Sequence, residues 1–225
     1  MERAHLPLRT FGRTRSRTLR SRPAALLAEL LPGLATPTAP FDPRTIAPGA
    51  SEVWLEIGFG GGEHLCAQAA RRPDVLLLGA EPFVNGVASA LGHIDRSALG
   101  NVRIHAGDGR ELMAALPDAS IDRLFLLFPD PWPKLRHHKR RLIGVEFIAQ
   151  AARVMRPAAV LRFVTDWADY AGWTLERFAA AAADFRWTAG RADDWRVAPA
   201  DHFPTRYERK QLGDCAPIWL EFERV

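Results

Sequence analysis

The feature that most constrains the fold of this 225-residue chain is a regular alternation of apolar runs with stretches that can form helices. The apolar runs are Val53–Gly58, Val75–Glu81, Val102–Asp108, Ile121–Phe128 and Val160–Asp166. The stretches with helical potential between them are His64–Ala70, Gly86–Ser97, Arg110–Leu116 and Val145–Met155. Such alternation predicts an α/β fold, in which helices cover both faces of a mostly parallel sheet.

The C-terminal part of the chain departs from this alternation. Leu175–Ala183 is rich in alanine and predicts another helix, but Phe185–Ala189 and Ile218–Phe222 are two strand candidates with no clear helix between them. They predict an antiparallel hairpin at one edge of the sheet, which gives seven strands in all. We assign residues 43–225 to this domain and residues 1–42 to a basic N-terminal arm and linker.

Composition limits the class of protein. Hydrophobic residues make up 48% of the chain and charged residues 25%, as is usual for a globular enzyme. The longest purely apolar stretches, such as Val75–Leu78, are far shorter than the ~20 residues of a membrane span. Cys66 and Cys215 form no CxxC pair and no metal-ligand spacing, so we expect reduced thiols, no metal, and a cytoplasmic protein. Nothing in the pattern indicates an obligate protein partner.

Positive charge is concentrated in two segments. Residues 1–22 hold seven arginines and one acid, and Lys134–Arg141 holds five cations and no acid, while the rest of the chain is net acidic. Two basic patches on an acidic body indicate a polyanionic partner such as a nucleic acid. An acid-poor start rich in Arg and Ser is also typical of an organellar transit peptide, and composition alone leaves both interpretations open.

Acidic residues lie where the predicted strands end. They are Glu56, Glu81, Asp108, Asp130 and Asp166. Because ligands of open α/β sheets bind beyond the carboxyl ends of the strands, these acids predict one binding edge. A single acid at such a place could instead cap the next helix, and for Asp108 alone that interpretation would be preferred.

The turn after the first predicted strand reads EIGFGGGEH, with glycines at positions 58, 60 and 62. A dinucleotide-binding turn would have its third glycine where Glu63 stands, and this acid would repel a pyrophosphate. The pattern E-x-G-x-G-x-G is typical of Rossmann-like class I methyltransferases, whose donor S-adenosylmethionine carries a sulfonium and no phosphate. Glu81 is then placed to accept the ribose hydroxyls, and Asp108 suits the adenine amino group.

The segment LFLLFPDPWPKLRHHKRRL holds Asp130 between two prolines after the fourth predicted strand. Prolines at positions 129, 131 and 133 restrict their own φ angles and the residues before them, so the carboxylate is presented in a fixed direction. The segment is similar to the D-P-P-Y segments of amino-methyltransferases, although the order of residues differs. The basic block that follows could be a solvated helix face, but its position directly after this tip favours contact with an RNA backbone.

Three motifs resemble the bacterial tRNA (guanine-N7-)-methyltransferases: FPDPWPKLRHHKRR, FVTDW at Phe163–Trp167 and TRYERK at Thr205–Lys210. LRTFGRTRSR, Leu8–Arg17, looks like the arginine-bearing segment that precedes the domain in that family, which favours the nucleic-acid arm over the transit peptide. The resemblance spans nearly the whole chain. It implies a Rossmann-like class I methyltransferase fold and methyl transfer to N7 of a guanine in the variable loop of tRNA (position 46).

The resemblance also implies roles for particular residues. S-adenosylmethionine would be bound by Glu56, Gly58, Glu81, Asp108 and Asp130. Asp130 is also the candidate catalytic residue. Contacts to tRNA would be made by Lys134, Asp166, Thr205, Arg206, Tyr207 and Glu208. Gly109 replaces the alanine of the G-D-A motif of relatives, so we expect a slightly looser edge against adenine.

The chemistry of guanine N7 makes few demands on the protein, since its in-plane lone pair is free at neutral pH and no proton must leave. Asp130 is predicted to stabilise the positive charge that moves into the purine, and Trp132 or Tyr207 could stack on the exposed base. Two other functions fit parts of the pattern: an amino-group nucleobase methyltransferase, and a non-catalytic RNA-binding protein on a methyltransferase fold. An NAD-dependent oxidoreductase is disfavoured by Glu63.

Overall fold

The computed structural model describes residues 18–225, so residues 1–17 of the predicted arm lie outside the described part. The strands are β1 (Glu52–Ile57), β2 (Val75–Ala80), β3 (Val102–His105), β4 (Ile121–Leu127), β5 (Met155–Thr165), β6 (Phe185–Trp187) and β7 (Ile218–Arg224). The helices are α1 (Ser21–Glu29), α2 (Leu31–Leu34), α3 (Pro43–Ile46), α4 (Glu63–Arg71), α5 (Val84–Ser97), α6 (Gly109–Ala115), α7 (Val145–Val154), α8 (Ala168–Ala179) and α9 (Asp193–Arg196), with short 3-10 helices at Leu135–Arg140 and Glu208–Lys210. No helix in this part of the chain is long and apolar enough to cross a membrane.

The seven strands form one sheet in the order β3-β2-β1-β4-β5-β7-β6. Strands β1 to β5 are parallel, and β7 runs antiparallel to both β5 and β6. This confirms the predicted mostly parallel sheet with an antiparallel C-terminal edge. The chain builds the sheet outward from β1 to β3 and then returns to place β4 on the other side of β1. Open α/β sheets bind ligands at such a switch point.

The core lies on both faces of the sheet. Successive strand residues point to opposite faces, so Val53, Leu55 and Ile57 of β1 pack with α6, α7 and α8. Trp54 packs on the other face, together with residues of α1, α4 and α5. Both clusters are buried, which confirms the prediction of helices on both sides of the sheet.

The largest error in the predicted elements concerns α8. The sequence predicts a helix over Leu175–Ala183, whereas the observed helix spans Ala168–Ala179. Its start is stabilised from a distance, because the backbone N–H of Ala168 donates to Oδ1 of Asp214 at 2.9 Å. A cap supplied from so far along the chain leaves no local sequence signal. The C-terminal edge differs in a similar way, since a long connection rather than a tight hairpin turn joins β6 to β7.

Part of the segment that we predicted as an arm packs on the domain. Helix α1 lies against α5, where Leu26 is buried and Arg22 Nη2 is 2.5 Å from Oδ2 of Asp95. Further along, the N–H of Thr36 donates to the carbonyl of Ile104 in β3 at 3.0 Å. Residues 21–36 are therefore held against the sheet and its helices, and the domain boundary at residue 42 stays a prediction.

Candidate active site

A cavity of about 610 Å³ opens at the carboxyl ends of β1, β2, β3 and β4. Its wall includes Gly58, Glu81, Asp108 and Asp130, which follow the ends of these four strands, and Tyr207 from the C-terminal connection. Neighbouring parallel strands end at the same edge of a sheet, so acids far apart in sequence come to share one space. Nowhere in residues 18–225 do three His, Cys, Asp or Glu side chains form a group suited to a metal ion.

The turn between β1 and α4 contains three glycines with positive φ angles, and two of them also bring it close to its neighbours. Gly60 and Gly62 have φ angles of +55° and +81°, in the left-handed region that L side chains rarely adopt. A Cβ on Gly62 would also lie 2.5 Å from the Cβ of Ala90 on α5. The turn therefore packs closely on α5, and this brings the Gly60 N–H within 2.8 Å of Oε2 of Glu81.

Glu81 is a buried carboxylate that the backbone holds in place. Its Oε2 accepts from the N–H of Gly60, and its Oε1 accepts from the N–H of Phe83 at 2.9 Å. Burial raises the pKa of this carboxyl, although the two backbone hydrogen bonds act in the opposite direction. A carboxylate oxygen has two lone pairs, so each can accept a further hydrogen bond from a diol in the cavity.

Asp108 caps the helix that follows it, as the simpler interpretation of its sequence position suggests. Its Oδ1 accepts from the backbone N–H of Arg110 at 2.9 Å and from Nε at 3.0 Å, and its Oδ2 accepts from Nη2 at 2.6 Å. The residue also lines the cavity, next to Arg110. An adenine amino group would therefore share Asp108 with this arginine, and the role of Asp108 in donor binding stays a prediction.

Asp130 lies at the exposed tip of the segment that leaves β4. Neighbouring atoms partly exclude water from the carboxyl, and this raises its pKa. Among residues 18–225 no group donates a hydrogen bond to this carboxylate or pairs with it. Its negative charge faces the cavity without an internal partner, so the charge is available to a bound molecule.

The backbone on both sides of Asp130 is strained. Phe128 and Trp132 have φ angles of +50° and +44°, and for bulky residues such conformations cost about 1–3 kcal/mol each. Two hydrogen bonds hold the segment: the N–H of Phe128 donates to Val164 O at 2.8 Å, and Nε of Arg141 donates to Pro131 O at 2.9 Å. Prolines alone therefore do not account for the fixed direction of Asp130, since β5 and Arg141 also fasten its flanks.

The basic block forms a 3-10 helix whose cations have different surroundings. Arg141 is buried, pairs with Asp169, and lies over the rings of Tyr170 and Trp173 at 4.8 and 5.3 Å. Arg141 is thus part of the core rather than a free phosphate contact. Arg140 lies over the ring of Trp132 at 4.9 Å and, like Lys139, lines the cavity. Lys134, the predicted tRNA contact, is exposed just before the helix begins.

Glu56 is not part of the cavity wall. Its side chain is buried beneath the glycine turn, where Oε2 lies 2.8 Å from Nδ1 of His64 on α4. The structure thus places this predicted donor-binding acid behind the wall that Glu81, Asp108 and Asp130 form. A direct contact between Glu56 and the donor stays a prediction that this geometry does not support.

The segment Thr205–Glu208 is a capping box, in which two residues satisfy each other's backbone. The N–H of Glu208 donates to Oγ1 of Thr205 at 3.2 Å, and the N–H of Thr205 donates to Oε2 of Glu208 at 3.4 Å. His202 Nε2 binds the same carboxylate at 2.7 Å. Thr205 and Glu208 therefore shape the loop, whereas Arg206 is exposed and 3.5 Å from Glu63.

Tyr207 and Asp166 stand together at the side of the cavity. The Tyr207 hydroxyl is 3.5 Å from Oδ1 of Asp166, and its ring centroid is 5.3 Å from that of Phe128. Burial is the main cause that raises the pKa of Tyr207, so this hydroxyl stays protonated. Asp166 is buried, so only a group that enters the protein could reach it. A role for Asp166 in tRNA binding, which stays a prediction, therefore requires an inserted base rather than a surface contact.

Sequence reasoning missed several residues with defined positions in this site. Arg110 and Arg141 fix Asp108 and the Pro131 carbonyl. His64 and His202 bind two of the three glutamates of the predicted site, Glu56 and Glu208. For Arg110 the position two residues after Asp108 is a usable signal, because a helix cap lies close to its own first turn. The histidines gave no such signal, since their partners are brought to them by the packing of separate elements.

Comparison with known proteins places the chain in a family. Residues 50–219 match a family model described as "Putative methyltransferase". The chain is 60% identical over 224 residues to the tRNA (guanine-N(7)-)-methyltransferase of Caulobacter sp. (strain K31), with 100% of this chain and 98% of that protein covered. The chain belongs to the tRNA (guanine-N(7)-)-methyltransferase family. A second member, from Hyphomonas neptunium (strain ATCC 15444), is 49% identical over 217 residues, with 96% and 99% covered.

The fold of this tRNA (guanine-N(7)-)-methyltransferase family member is shared with more distant methyltransferases of known structure. The 16S rRNA (adenine(1408)-N(1))-methyltransferase from Catenulisporales acidiphilia has a TM-score of 0.55 at 16% identity, covering 85% of this chain and 96% of that chain. An antibiotic-related methyltransferase has the same TM-score and identity, covering 80% and 90%. Likeness at such identity concerns the fold alone, and it confirms the predicted class I methyltransferase architecture.

Proposed function

We propose that this protein transfers the methyl group of S-adenosylmethionine to N7 of a guanine in the variable loop of tRNA (position 46). The products would be N7-methylguanine in tRNA and S-adenosylhomocysteine. The observation that carries the proposal is the convergence of Glu81, Asp108 and Asp130 on one cavity with a basic 3-10 helix at its rim. The relatives' names support tRNA as substrate and guanine N7 as target. The resemblance of the sequence motifs supports the variable loop.

The residues of the cavity fit this donor chemically. Glu81 offers two backbone-anchored oxygens to a ribose diol, Asp108 offers an acceptor to the adenine amino group, and Gly58 leaves open space beside the first turn. Asp130 adds a negative charge with no internal partner. The donor carries a sulfonium and no phosphate, so acids in the wall favour it where they would oppose a dinucleotide. When bound, the donor would supply a methyl group: a nitrogen lone pair would bond to the methyl carbon as the carbon–sulfur bond breaks, and a neutral thioether would leave.

Asp130 would lower the barrier by electrostatics rather than by proton transfer. As N7 attacks, positive charge moves from the donor into the purine ring, and a fixed carboxylate near the ring stabilises that charge. The strained, fastened backbone on either side holds the carboxylate in position before the reaction. Because the pKa of Asp130 is raised, kcat is expected to fall as the pH is lowered through this raised value.

The RNA must present an accessible base. Guanine N7 faces the major groove, which in A-form RNA is too deep and narrow for side chains to enter. A base that leaves its stack, at a cost of a few kcal/mol, could instead lie between Trp132 and Tyr207, with Asp166 behind it. Cations at the rim, including the exposed Lys134, would hold the phosphates beside it.

The test is methyl transfer from tritium-labelled S-adenosylmethionine to tRNA by the wild-type protein and by Asp130→Asn. We expect label in tRNA, mapped to N7 of the variable-loop guanine, and about a 10²–10³-fold loss of kcat in the variant. Asp118→Asn, which removes a surface carboxylate paired with Arg153, is the matched control and should turn over normally. Circular dichroism checks that both variants are folded.

A second substrate separates the target atom from the rest of the base. A tRNA that carries 7-deazaguanine at the modified position has no N7 lone pair, and it should accept no label. Label that still enters this tRNA at an exocyclic nitrogen would replace the proposal by an amino-group methyltransferase. Normal turnover by Asp130→Asn would remove Asp130 from the mechanism. A cytoplasmic location and the ability to act without an obligate protein partner also stay predictions.

A further inference from the structure

A row of buried polar side chains lies directly behind the wall of the candidate active site. Glu56 is the last residue but one of β1, and His64 and Gln68 lie one turn apart on the same face of α4. All three are at most 2% exposed. His64 Nδ1 is 2.8 Å from Oε2 of Glu56, and His64 Nε2 is 3.1 Å from Nε2 of Gln68. Both ring nitrogens of His64 are therefore engaged.

The amide of Gln68 determines where His64 carries its proton. Gln68 Nε2 is also 2.7 Å from the carbonyl oxygen of Asp201, and a carbonyl can only accept. The nitrogen end of the amide must point in this direction, so it also donates to Nε2 of His64. That ring nitrogen is then the acceptor, and the proton lies on Nδ1, which donates to Glu56. The imidazole in this arrangement is uncharged.

A neutral imidazole leaves the charge of Glu56 uncancelled. The carboxylate receives one oriented hydrogen bond, and no lysine or arginine among the described residues pairs with it. If Nε2 of His64 also took a proton, an imidazolium would lie 2.8 Å from the carboxylate and cancel its charge. Gln68 opposes this second protonation. A proton on Nε2 of His64 would need a hydrogen-bond acceptor, and the N–H group of Gln68 occupies that place.

The partner of Gln68 is itself fixed. The carboxylate of Asp201 is held between Arg123 and Arg162, each with a nitrogen 2.8 Å from one of its oxygens, and its carbonyl also accepts from Nη1 of Arg71 at 2.7 Å. This residue lies in the connection after α9, shortly before the capping box at Thr205–Glu208. The row therefore joins the acid behind the donor cavity to the segment predicted to contact tRNA.

We infer that Gln68 is a positioning residue that locks His64 in its neutral, Nδ1-protonated form and so preserves the negative charge of Glu56 behind the donor cavity. The inference rests on the proposed function, because the negative charge of Glu56 would stabilise the bound cationic donor. S-Adenosylmethionine carries a net charge of +1 from its sulfonium, whereas S-adenosylhomocysteine is neutral. The preference for one over the other measures the charge of the site, even though Glu56 does not touch the cavity.

Other groups surround this pair and enter any measurement of pH dependence. The titratable and charged residues that face it from neighbouring elements are Glu63, Cys66, Glu81, Arg162, Asp201, His202 and Glu208. Burial raises the pKa of the Cys66 thiol to about 12, so it stays protonated. Burial lowers the pKa of His202 despite its bond to Glu208. Each of these groups remains in the variants below, so a comparison between variants cancels their contributions.

The first experiment observes the proton directly. Long-range ¹H–¹⁵N correlation spectra of the folded protein report which imidazole nitrogen carries hydrogen, and the His64→Asn variant assigns the signals. We expect a neutral Nδ1–H tautomer for His64 at pH 7. A signal from an Nε2–H tautomer, or from a doubly protonated ring at pH 7, would overturn the inference. This outcome does not depend on methyl transfer, so it is separable from a failure of the proposed function.

The second experiment measures the consequence for the donor. In Gln68→Met the side chain keeps a similar size, Asp201 keeps its bond from Arg71, and Nε2 of His64 loses its donor. Calorimetry should show the Kd of S-adenosylmethionine, relative to that of S-adenosylhomocysteine, rising about fivefold more between pH 8 and pH 6 than in wild type. Gln150→Met on α7 loses a glutamine contact to Arg153 and should follow wild type. If the Kd values of both ligands changed in parallel in Gln68→Met, Gln68 would have only a packing role, and this result would contradict the inference.

Discussion

Asp130 stands at a place where the needs of the reaction and of folding oppose each other. Its carboxylate is crowded by neighbouring atoms, and no donor in the described part of the chain compensates for the lost water. Its pKa is therefore raised in the folded protein, which means that the native state binds a proton here more tightly than the unfolded chain does. At neutral pH the charged form makes folding less favourable. The same uncompensated charge is what a developing cation in the cavity would stabilise.

We therefore predict that Asp130→Asn raises the Tm at pH 7 while it abolishes most of the activity. The expected gain is small, about 1–2 °C, because the residue keeps part of its contact with solvent, which screens the charge. The gain in Tm depends on pH. Below the ordinary carboxyl pKa of about 4, Asp130 is protonated in both the folded and the unfolded state, so the gain disappears. Calorimetric scans at pH 3 and pH 7 measure this difference in Tm between the variant and wild type. A lower Tm for the variant at pH 7 would mean that the native state stabilises the carboxylate.

At this scale the sequence locates side chains better than it explains their contacts. The positions of Glu81, Asp108 and Asp130 on one edge follow from strand ends, which are legible in the apolar runs. That Asp108 would share its oxygens with Arg110, and that Glu56 would turn to His64, depends on the packing of α6 and α4. Side-chain partners of this kind are chosen by tertiary geometry, which periodicity does not encode.

The loop that carries the capping box is the clearest case of an element whose order is set by a few polar bonds. Thr205 and Glu208 satisfy each other's backbone, and His202 fixes the glutamate. The 3-10 helix that follows has only three residues, so it contributes little order of its own. The stability of this local structure therefore rests on side-chain caps rather than on helix formation.

We predict that Thr205→Ala raises the KM for tRNA by about fivefold with a smaller effect on kcat, because loss of a cap costs about 1 kcal/mol of local order. Thr205→Ser keeps the hydroxyl and should restore the wild-type KM. Thr45→Ala on α3 removes a comparable hydroxyl bond, to Asp42 O, far from the loop along the chain, and should leave both constants unchanged. If Thr205→Ser behaved like Thr205→Ala, the methyl group rather than the cap would be responsible.

Elements with their own periodic pattern are predictable, and elements held by distant residues are not. The five parallel strands and their helices are predictable because the apolar run of a buried strand, or the amphipathic pattern of a helix, lies within the element's own residues. The start of α8 depends on Asp214, and the tip after β4 depends on Arg141 as well as on its prolines. In both cases the decisive group arrives from another part of the chain, so a reading of local sequence places the boundary or the cause incorrectly.

For the molecule as a whole, the cations of the two basic segments are divided between contacts within the fold and exposed positions. The arginines of residues 1–22 fall on both sides of the described boundary: Arg22 pairs with Asp95 on the domain, while five arginines belong to residues 1–17. In the basic block, Arg141 is buried in the core, whereas Lys134 is exposed to solvent. The cations available to a polyanion are therefore fewer than the composition suggests, and a test of their role must remove only those that the fold does not use.

Deletion of residues 1–17 removes five arginines and leaves α1 and the contact of Arg22 with Asp95 in place. Each arginine that contacts a phosphate releases a counterion, so the slope of log K for tRNA against log salt should become shallower by about 0.7–0.9 per lost contact. The Kd for tRNA should weaken most at low salt, and the Kd for S-adenosylhomocysteine should not change. Replacing the five arginines by glutamine in the full-length chain should reproduce the shallower slope, since charge rather than length is the cause. An unchanged slope in both proteins would return the segment to a targeting role.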